Sequence, residues 1–470
     1  MELKNEEISS HRGFARIAPC GAHGSDAELD TLFSKALGER HRIEHPVTNK
    51  VGEITSEDRQ AFYQKIAMIG YGAYGSALHS RLDKFDILPW ARRSTEHVDD
   101  GKVTTDLNTA IDGRGILMLA VPSNAFPTVL DSIRPHKESV IMSLAKGLIV
   151  PGWNPLETER ALREGPPEGS RALTPTELIT EHKNWRHVAD NVVFVGGPGF
   201  AKDVRGGGYL GLTLAGRRSR AGATDALAKS FFVLSGMSGD KNIEIFDNPI
   251  ALEIAASMKN VAAFAAGVML GVLRNHGALE DIQDGGYRVT KRVAIRHGDH
   301  SVMLDAYSLH RLVHAAGKEI VNIVKSEGAV GSKTTSLMMA GSHDLNLTVH
   351  SLTSRNVQAG MRLACGENIF DVLTKRDANG HVLTAEGVSA SHAMARRIQN
   401  NADSEAHAPL VFAMRNILLG RGQPEAIIAQ YFGQLNNWLE DDALAVLNGT
   451  SKPLRLRIHS GNAHGLSHFN

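Results

Sequence analysis

A lysine in an apolar helix is the side chain best placed to do chemistry in this chain. Lys259 stands beside Asn260 in NPIALEIAASMKNVAAFAAGVMLG, Asn248 to Gly271. Asn248 can cap a helix, and Pro249 suits its first position, where a missing N–H costs nothing. Small and aliphatic residues follow on nearly every side, which predicts a buried helix. A buried ammonium is costly unless paired, and burial eases the loss of its proton. A lysine so held can give and take a proton. The competing reading is a lysine whose stem lies along apolar surface and whose charge reaches water.

Gly70, Gly72 and Gly75 form G-x-G-x-x-G in KIAMIGYGAYGSALHSRL, with Ala73 and Tyr74 between the last two. An apolar strand precedes the motif and a helix follows. In that context the first glycine permits a tight turn, the second admits a pyrophosphate, and the third lets helix pack on strand. The helix start then faces the anion. Gly70, Gly72, Ala73, Tyr74 and Gly75 are therefore candidate dinucleotide contacts. A second copy at Gly206, Gly208 and Gly211 lacks the strand–turn–helix context and reads as chance in a chain with 46 glycines. The strand FDILPW ends in Ala91, Arg92, Arg93 and Ser94. An acidic residue there would favour NAD(H), whereas Arg92 and Arg93 suit the 2′-phosphate of NADP(H). A solvated basic turn is the plain alternative.

Ligands of open α/β sheets collect outside the carboxyl ends of the strands. GILMLAVP ends in Pro122 and Ser123, SVIMSLA in Lys146 and Gly147, and NVVFVGG in Pro198, Gly199, Phe200 and Ala201. Together these ends would line one crevice, with Lys146 placed to hold an anionic or carbonyl group.

The elements behind these residues fall into two patterns. From Lys65 to about residue 240, KIAMIG, FDILPW, GILMLAVP, SVIMSLA, NVVFVGG and YLGLTLAG alternate with helix-length segments. That alternation predicts a doubly wound parallel sheet of Rossmann type. Beyond it the chain reads as mainly helical, over 249–274, 302–327, 355–366, 387–400, 406–418 and 423–447. The division expected is an extension over 1–60, a dinucleotide-binding domain over 61–240, a helical substrate and catalytic domain over 241–450, and a tail over 451–470. The chain has 470 residues, 42% of them hydrophobic, and its 51 Lys+Arg balance 51 Asp+Glu. Zero formal charge offers nothing to nucleic acid or a membrane surface. Two cysteines, Cys20 and Cys365, fit a reducing compartment. The start, MELKNEEISS, is polar and unlike a targeting segment. The longest apolar run, Val261 to Leu273, is too short to span a bilayer and reads as a core helix, so no integral membrane segment is expected. His310 and His314 lie one helical turn apart, but no cysteine or carboxylate cluster joins them, and no metal is expected. GAVGSKTT, 328–335, has the wrong spacing for an ATP-binding loop.

The stretches IGYGAYGSAL, AVPSNAF, SLAKGL, GGPGFAKDV, ALEIAASMKNVAAFAAGV, GSHDLNLTVHSLTSRN and TAEGVSA occur in one order over roughly 65–432. In them the chain resembles the NAD(P)-dependent sn-glycerol-3-phosphate dehydrogenases, particularly the bacterial type. The resemblance implies a Rossmann domain followed by a helical domain, usually in a cytoplasmic homodimer. It implies reversible reduction of dihydroxyacetone phosphate to glycerol 3-phosphate, which supplies phospholipid precursors. By the same resemblance Lys259 is the proton donor and acceptor, and Lys146 contacts substrate and nicotinamide. Asp344 and Thr348 match active-site positions, and Asp344 can orient Lys259. Ser354, Arg355 and Asn356 match a cluster on substrate phosphate and cofactor, while Ala201 and Glu386 match cofactor contacts. Asn260 could help Lys146 polarise the substrate oxygen. Gly199 replaces a serine of the family, and His343 a glycine; the stretch 274–304 is longer than the family's, and residues 1–60 have no counterpart. These departures bear on substrate choice. They motivate two alternatives, a related dehydrogenase of another hydroxy acid or phosphorylated polyol, and a cofactor-binding regulator without turnover.

Overall fold

A computed structural model describes residues 61–92, 103–197, 201–207, 210–216, 228–229, 231–232, 235–239, 242–246, 248–282, 286–298, 300–327, 344–376, 382–399 and 407–447. Seven strands form one sheet: β1 (Lys65–Ile69), β2 (Asp86–Trp90), β3 (Ile116–Leu119), β4 (Val140–Ser143), β5 (Val192–Gly196), β6 (Leu212–Gly216) and β7 (Ile243–Phe246). Their order is β2-β1-β3-β4-β5-β6-β7. β1 to β5 are mutually parallel, and their order reverses between β1 and β3. β3, β4 and β5 are buried at every residue, so they read as unbroken apolar runs without alternation. β2 carries Pro89 and lies at the sheet edge, where a missing N–H leaves no inner ladder unpaired.

The sheet corrects one expectation. LTLAG does not continue the parallel series: β6 runs antiparallel to β5, and β7 then pairs parallel to β6. A strand buried on both faces has the same composition in either direction, so its residues do not encode its sense. β7, an IEIF segment not among the expected strands, closes the far edge.

Both sheet faces are covered. Met68, Met118, Met142 and Phe231 pack on one side, and Ile69, Leu119, Phe126 and Trp185 on the other. A third core surrounds the helix Pro249–Asn275 and reaches the sheet through Phe194 and Ala215. Asn248 caps this central helix by accepting from the Ala251 amide at 3.0 Å, and Pro249 opens it, as the residue types require. The central helix is long and apolar enough to cross a membrane, but its most apolar stretch is entirely buried within the fold. It is longer than its uncharged run because buried Glu253 and Lys259 interrupt the apolar residues.

Around it pack Ser308–Ser326, Arg355–Ala364, Glu386–Ile398, Pro409–Leu418 and Pro424–Leu447. The helix expected over 302–327 starts only at Ser308, because 302–304 belong to a strand. The stretch before it is not helical. β8 (Leu279–Ile282) pairs with β9 (Gly286–Val289), and β10 (Val293–His297) pairs with β11 (His300–Leu304), both antiparallel. Val293, Ile295, Val302 and Leu304 are buried at alternate positions, which is strand spacing. Gly298 turns the second hairpin with φ +57°.

The central helix meets its neighbours backbone to backbone. A Cβ on Gly267 would lie 2.1 Å from the Val357 carbonyl oxygen, and one on Gly360 2.1 Å from that of Phe264. Gly271 approaches the Met361 carbonyl in the same way, at 2.6 Å from its Cβ position. Gly360→Ala is therefore expected to force these helices apart at a cost of about 1–3 kcal/mol, typical of overpacking. The urea midpoint measures it, and an unchanged midpoint contradicts the close contact.

Two carboxyls are sealed in this core. Glu253 accepts from the Thr176 amide and hydroxyl at 3.1 and 2.9 Å, and Glu319 accepts from the Leu410 and Val411 amides at 3.0 and 3.2 Å. Burial pushes each up to about 8, against the pull of those hydrogen bonds. Each is thus neutral in the fold where the unfolded chain has ionised. The stability this confers is complete below about 4.5 and is lost as pH rises through about 8. Glu319→Gln keeps the shape without the titration. Melting scans from pH 5 to pH 9 are expected to show a smaller fall for the variant than for the parent, and parallel curves count against the buried neutral carboxyl.

Candidate active site

Each candidate residue takes its place from an element end or a helix face. β1 ends at Gly70, whose φ is +107° and whose Cβ, if present, would lie 2.7 Å from the Ala120 carbonyl oxygen. Only glycine makes this turn. A Cβ on Gly75 would lie 2.1 Å from the Gly70 oxygen, whereas one on Gly72 would meet nothing within 4 Å. The first and third glycines are thus filled by the fold itself, and the second opens onto free space. Ala73 begins the helix Ala73–His79, and Tyr74 lies in its first turn. This turn sits where the strand order reverses, between β1 and β3. It fits a pyrophosphate. Arg92 is exposed just beyond β2; Arg93 lies outside the described residues.

β3 delivers Ser123, and β4 delivers Lys146 and Gly147. The Lys146 ammonium donates to the Gly197 carbonyl at 3.2 Å, spanning the ends of β4 and β5. Ala201, half-buried, starts a short helix beyond β5. The central helix supplies Lys259 and Asn260, only 7% and 5% exposed. The reading in which Lys259 reaches bulk water therefore does not hold. Arg355 and Asn356 open the helix Arg355–Ala364, with Ser354 as its first flanking residue. Ser354 and Thr348 are buried. Asp344 begins the helix Asp344–Val349, but its side chain lies outside the described residues, as do Gly199 and His343.

Hydrogen bonds join several of these groups. The Asn260 amide donates to one Glu386 carboxylate oxygen at 3.3 Å, and Asn356 donates to the Asn260 oxygen at 3.0 Å. The Gly387 amide donates to the Asn356 oxygen at 2.8 Å. The second Glu386 oxygen accepts from the Ser123 amide and hydroxyl at 3.3 and 3.4 Å. Gly387 allows this assembly, since a Cβ there would lie 2.3 Å from the Asn260 carbonyl oxygen. Arg355 donates to the Thr384 hydroxyl, which turns its guanidinium toward the segment before Glu386. Asn260, Asn356 and Glu386 are thus brought together with the ends of β3 and β4. No hydrogen bond links Arg92 to this group among the described contacts.

Residue types alone did not mark Thr384, Gly387 or the Ser123–Glu386 bond. The one usable signal was a glycine directly after a glutamate at a helix start. His392 lies on the same helix as Glu386 and is fully buried. Burial, helped by Arg415, pulls it down to about 3, so it is neutral at ordinary pH and supplies no acid. His310 stacks near His350 and His314 near Trp438, and no group of three or more metal-ligating side chains converges among the described residues. The GAVGSKTT stretch lies outside the described residues. A cleft of about 760 Å³ is lined by Phe62, Gly113 and Lys137 at the amino ends of β1, β3 and β4. Volume is a poor guide here, because the glycine turn and the polar network lie at the opposite ends of the strands.

A glycine turn at the switch point of the sheet, facing a helical unit with a buried lysine, defines a two-unit nicotinamide-dependent dehydrogenase. The family model described as the NAD-dependent glycerol-3-phosphate dehydrogenase N-terminus matches residues 96–221, and that described as its C-terminus matches 248–429. The chain belongs to this family. It is 24% identical over 357 residues to the glycerol-3-phosphate dehydrogenase [NAD(P)+] of Methylobacillus flagellatus, covering 71% of this chain and 87% of the relative. With the enzyme of the same description from Wolinella succinogenes it shares 24% identity, over 77% of this chain and 97% of the relative. Its fold is similar to the crystal structure of glycerol-3-phosphate dehydrogenase from Coxiella burnetii, with a TM-score of 0.53 at 20% identity over 79% of this chain and 99% of that one. The glycine turn at 70–75 precedes the matched N-terminal stretch, so it stands on its own geometry.

Arg92, exposed just beyond β2, is the residue expected from the sequence to meet a 2′-phosphate. Arg92→Ala is expected to raise the KM for NADPH about tenfold, one charge-assisted contact, while sparing NADH. Initial rates with each cofactor decide it, and equal effects on both remove Arg92 from recognition of the phosphate.

Proposed function

We propose that this chain interconverts dihydroxyacetone phosphate and sn-glycerol 3-phosphate with NADP(H) or NAD(H), for glycerophospholipid precursor supply. The observation that carries the reading is the buried pair Lys259–Asn260, whose amide is hydrogen-bonded to Glu386 and Asn356 beside the carboxyl ends of β3 and β4. In this reading residues 61–240 carry the dinucleotide and 241–450 the substrate and catalytic groups. Gly70, Gly72, Ala73, Tyr74 and Gly75 hold the pyrophosphate. Arg92 and Arg93 face the ribose, and Lys146, Ala201, Arg355 and Glu386 complete the cofactor contacts.

When bound, the reduced dinucleotide supplies a hydride to the central carbon of the substrate. Negative charge then builds on the carbonyl oxygen, and a proton must reach it. Lys259 donates that proton as an ammonium and takes it back, as the amine, in the reverse direction. Asp344 orients Lys259. Asn260 spends one N–H on Glu386, which leaves its second N–H to polarise the oxygen together with Lys146. Arg355 offers a planar fork to the phosphate, and Thr348, Ser354 and Asn356 add shorter polar contacts. A homodimer in the cytoplasm completes the reading, supported by the family's usual habit and by the low cysteine content. Gly199 and His343, where the family carries other residues, favour as a second reading a different phosphorylated polyol or hydroxy acid. A panel of such carbonyl compounds with NADPH separates the two.

Lys259→Ala is expected to lower kcat for dihydroxyacetone phosphate by about 10²–10⁴, the usual worth of a positioned acid. NADPH binding, followed by nucleotide fluorescence, is expected to stay near the parent value. Turnover close to that of the parent would falsify the role of Lys259.

A further inference from the structure

Glu386 lies on the helical unit, yet two of its three described hydrogen bonds come from Ser123, in the turn that follows β3. Ser123, directly beyond β3, offers its amide and its hydroxyl to one carboxylate oxygen. Asn260, next to Lys259, holds the other. The contact is 94% buried at Ser123, which is 6% exposed. It is also built from a second side. A Cβ on Gly147 would lie 2.2 Å from the Ser123 hydroxyl and 3.9 Å from the Glu386 carboxyl carbon. The residue after Lys146 must therefore be glycine for the hydroxyl to reach the carboxylate. So the turns after β3 and β4 and the middle of the central helix all close on one carboxylate.

We propose that Ser123 is a positioning residue. Its hydroxyl and amide, seated against Gly147, hold Glu386 so that the carboxylate fixes the Asn260 amide and, through it, the face of the central helix that carries Lys259. Ser123 touches neither the reacting carbonyl nor the transferred hydride in this account. It couples the dinucleotide side of the crevice to the acid side. A carboxylate with one oxygen on each side of a crevice can transmit a shift of either side only while both sets of donors are present. Asn356 and Gly387 continue the same chain and keep the Asn260 amide from turning over. The inference rests on the dehydrogenase reading above.

The test uses the full chain with NADPH and dihydroxyacetone phosphate. Ser123→Ala is expected to lower kcat about tenfold, the worth of one hydrogen bond to a charged group, with the melting temperature unchanged within about 2 °C and KM for the substrate shifted less than threefold. Ser123→Thr keeps the hydroxyl and is expected to restore most of the rate. Glu386→Gln alone and together with Ser123→Ala completes a double-mutant cycle. The double variant is expected to be little worse than Glu386→Gln, because the hydroxyl acts only through the carboxylate. Fully additive losses, or a Ser123→Ala enzyme with the parent's kcat, overturn the proposal. A loss of melting temperature that accounts for the lost rate overturns it as well. Gly147→Ala, which pushes on the same hydroxyl from outside, is expected to copy Ser123→Ala in its kcat effect; a normal kcat there counts against it. If the parent reduces no dihydroxyacetone phosphate, the functional reading fails first. NADPH affinity across the double-mutant cycle then decides the positioning role, with non-additive losses supporting it and additive or absent ones refuting it.

Discussion

Asn260, Asn356 and Glu386 hang on helices that touch through bare backbone. Gly267, Gly271 and Gly360 bring the central helix and the helix Arg355–Ala364 closer than any side chain would allow. Gly387 does the same for the helix Glu386–Ile398, against the Asn260 carbonyl. Hydrogen bonds between short amides need this. Asn260 and Asn356 have reach of only two carbons each, and their 3.0 Å bond exists because the two helix axes are drawn together by glycine. Larger residues at those positions would leave the two amides facing across a gap that only water could fill. Packing thus comes first, and the polar site follows from it.

The surrounding charges keep that packing in one orientation. Arg397, near the end of the helix Glu386–Ile398, pairs with Glu177 and Glu327 at 2.7 and 2.8 Å and is only 10% exposed in its side chain. It also donates to the Ala172 carbonyl. One guanidinium therefore ties the Glu386 helix to the helix Pro175–Glu181 and to the end of Ser308–Ser326. Burial lowers the Arg397 basicity, while the two carboxylates more than restore it. A buried pair of this kind adds little net stability over apolar residues, but losing one partner leaves the others unpaired at a cost of about 3–5 kcal/mol. Its use is in fixing which surfaces meet. Glu253, bonded to Thr176 from the central helix, points to the same neighbour, Pro175–Glu181, from a second direction.

What was legible in the residues was what local pattern controls. The strand ends at Gly70, Ser123, Lys146 and Gly197, the Asn248 cap and the buried central helix all follow from short runs of apolar residues and the special residues that stop them. Strand direction was not legible, because LTLAG buried on both faces is the same forwards and backwards. The hairpins at 279–304 were partly legible. Val293, Ile295, Val302 and Leu304 have period two, but the apolar Ala294 and Met303 between them hide the alternation. The close helix contacts left a trace as well. Gly267 and Gly271 lie four apart on an apolar helix, a spacing that lets helices approach. Their partner Gly360 could not be named without the fold, since no local pattern says which helix will lie opposite. The same limit hid the Ser123–Glu386 contact, whose members are 263 positions apart.

The order of donors around the site has a consequence for how rigid it is. Glu386 accepts only. Asn260 must therefore turn its NH2 toward that carboxylate, which aims its oxygen at Asn356. Asn356 must in turn present its NH2 there and its oxygen to the Gly387 amide, which donates only. The chain begins at Glu386 and ends at its own neighbour, so it closes on one turn of helix. Reversing either amide would set a donor against a donor at one end and oxygen against oxygen at the other. Two flips together fail for the same reason, because both ends of the chain are of fixed kind. Only one arrangement satisfies every group, and in the proposed mechanism it holds the second N–H of Asn260 in place before any substrate arrives. Such advance ordering is what electrostatic stabilisation of a developing oxyanion requires. In this crevice it comes from a carboxylate and a backbone amide that do not themselves react.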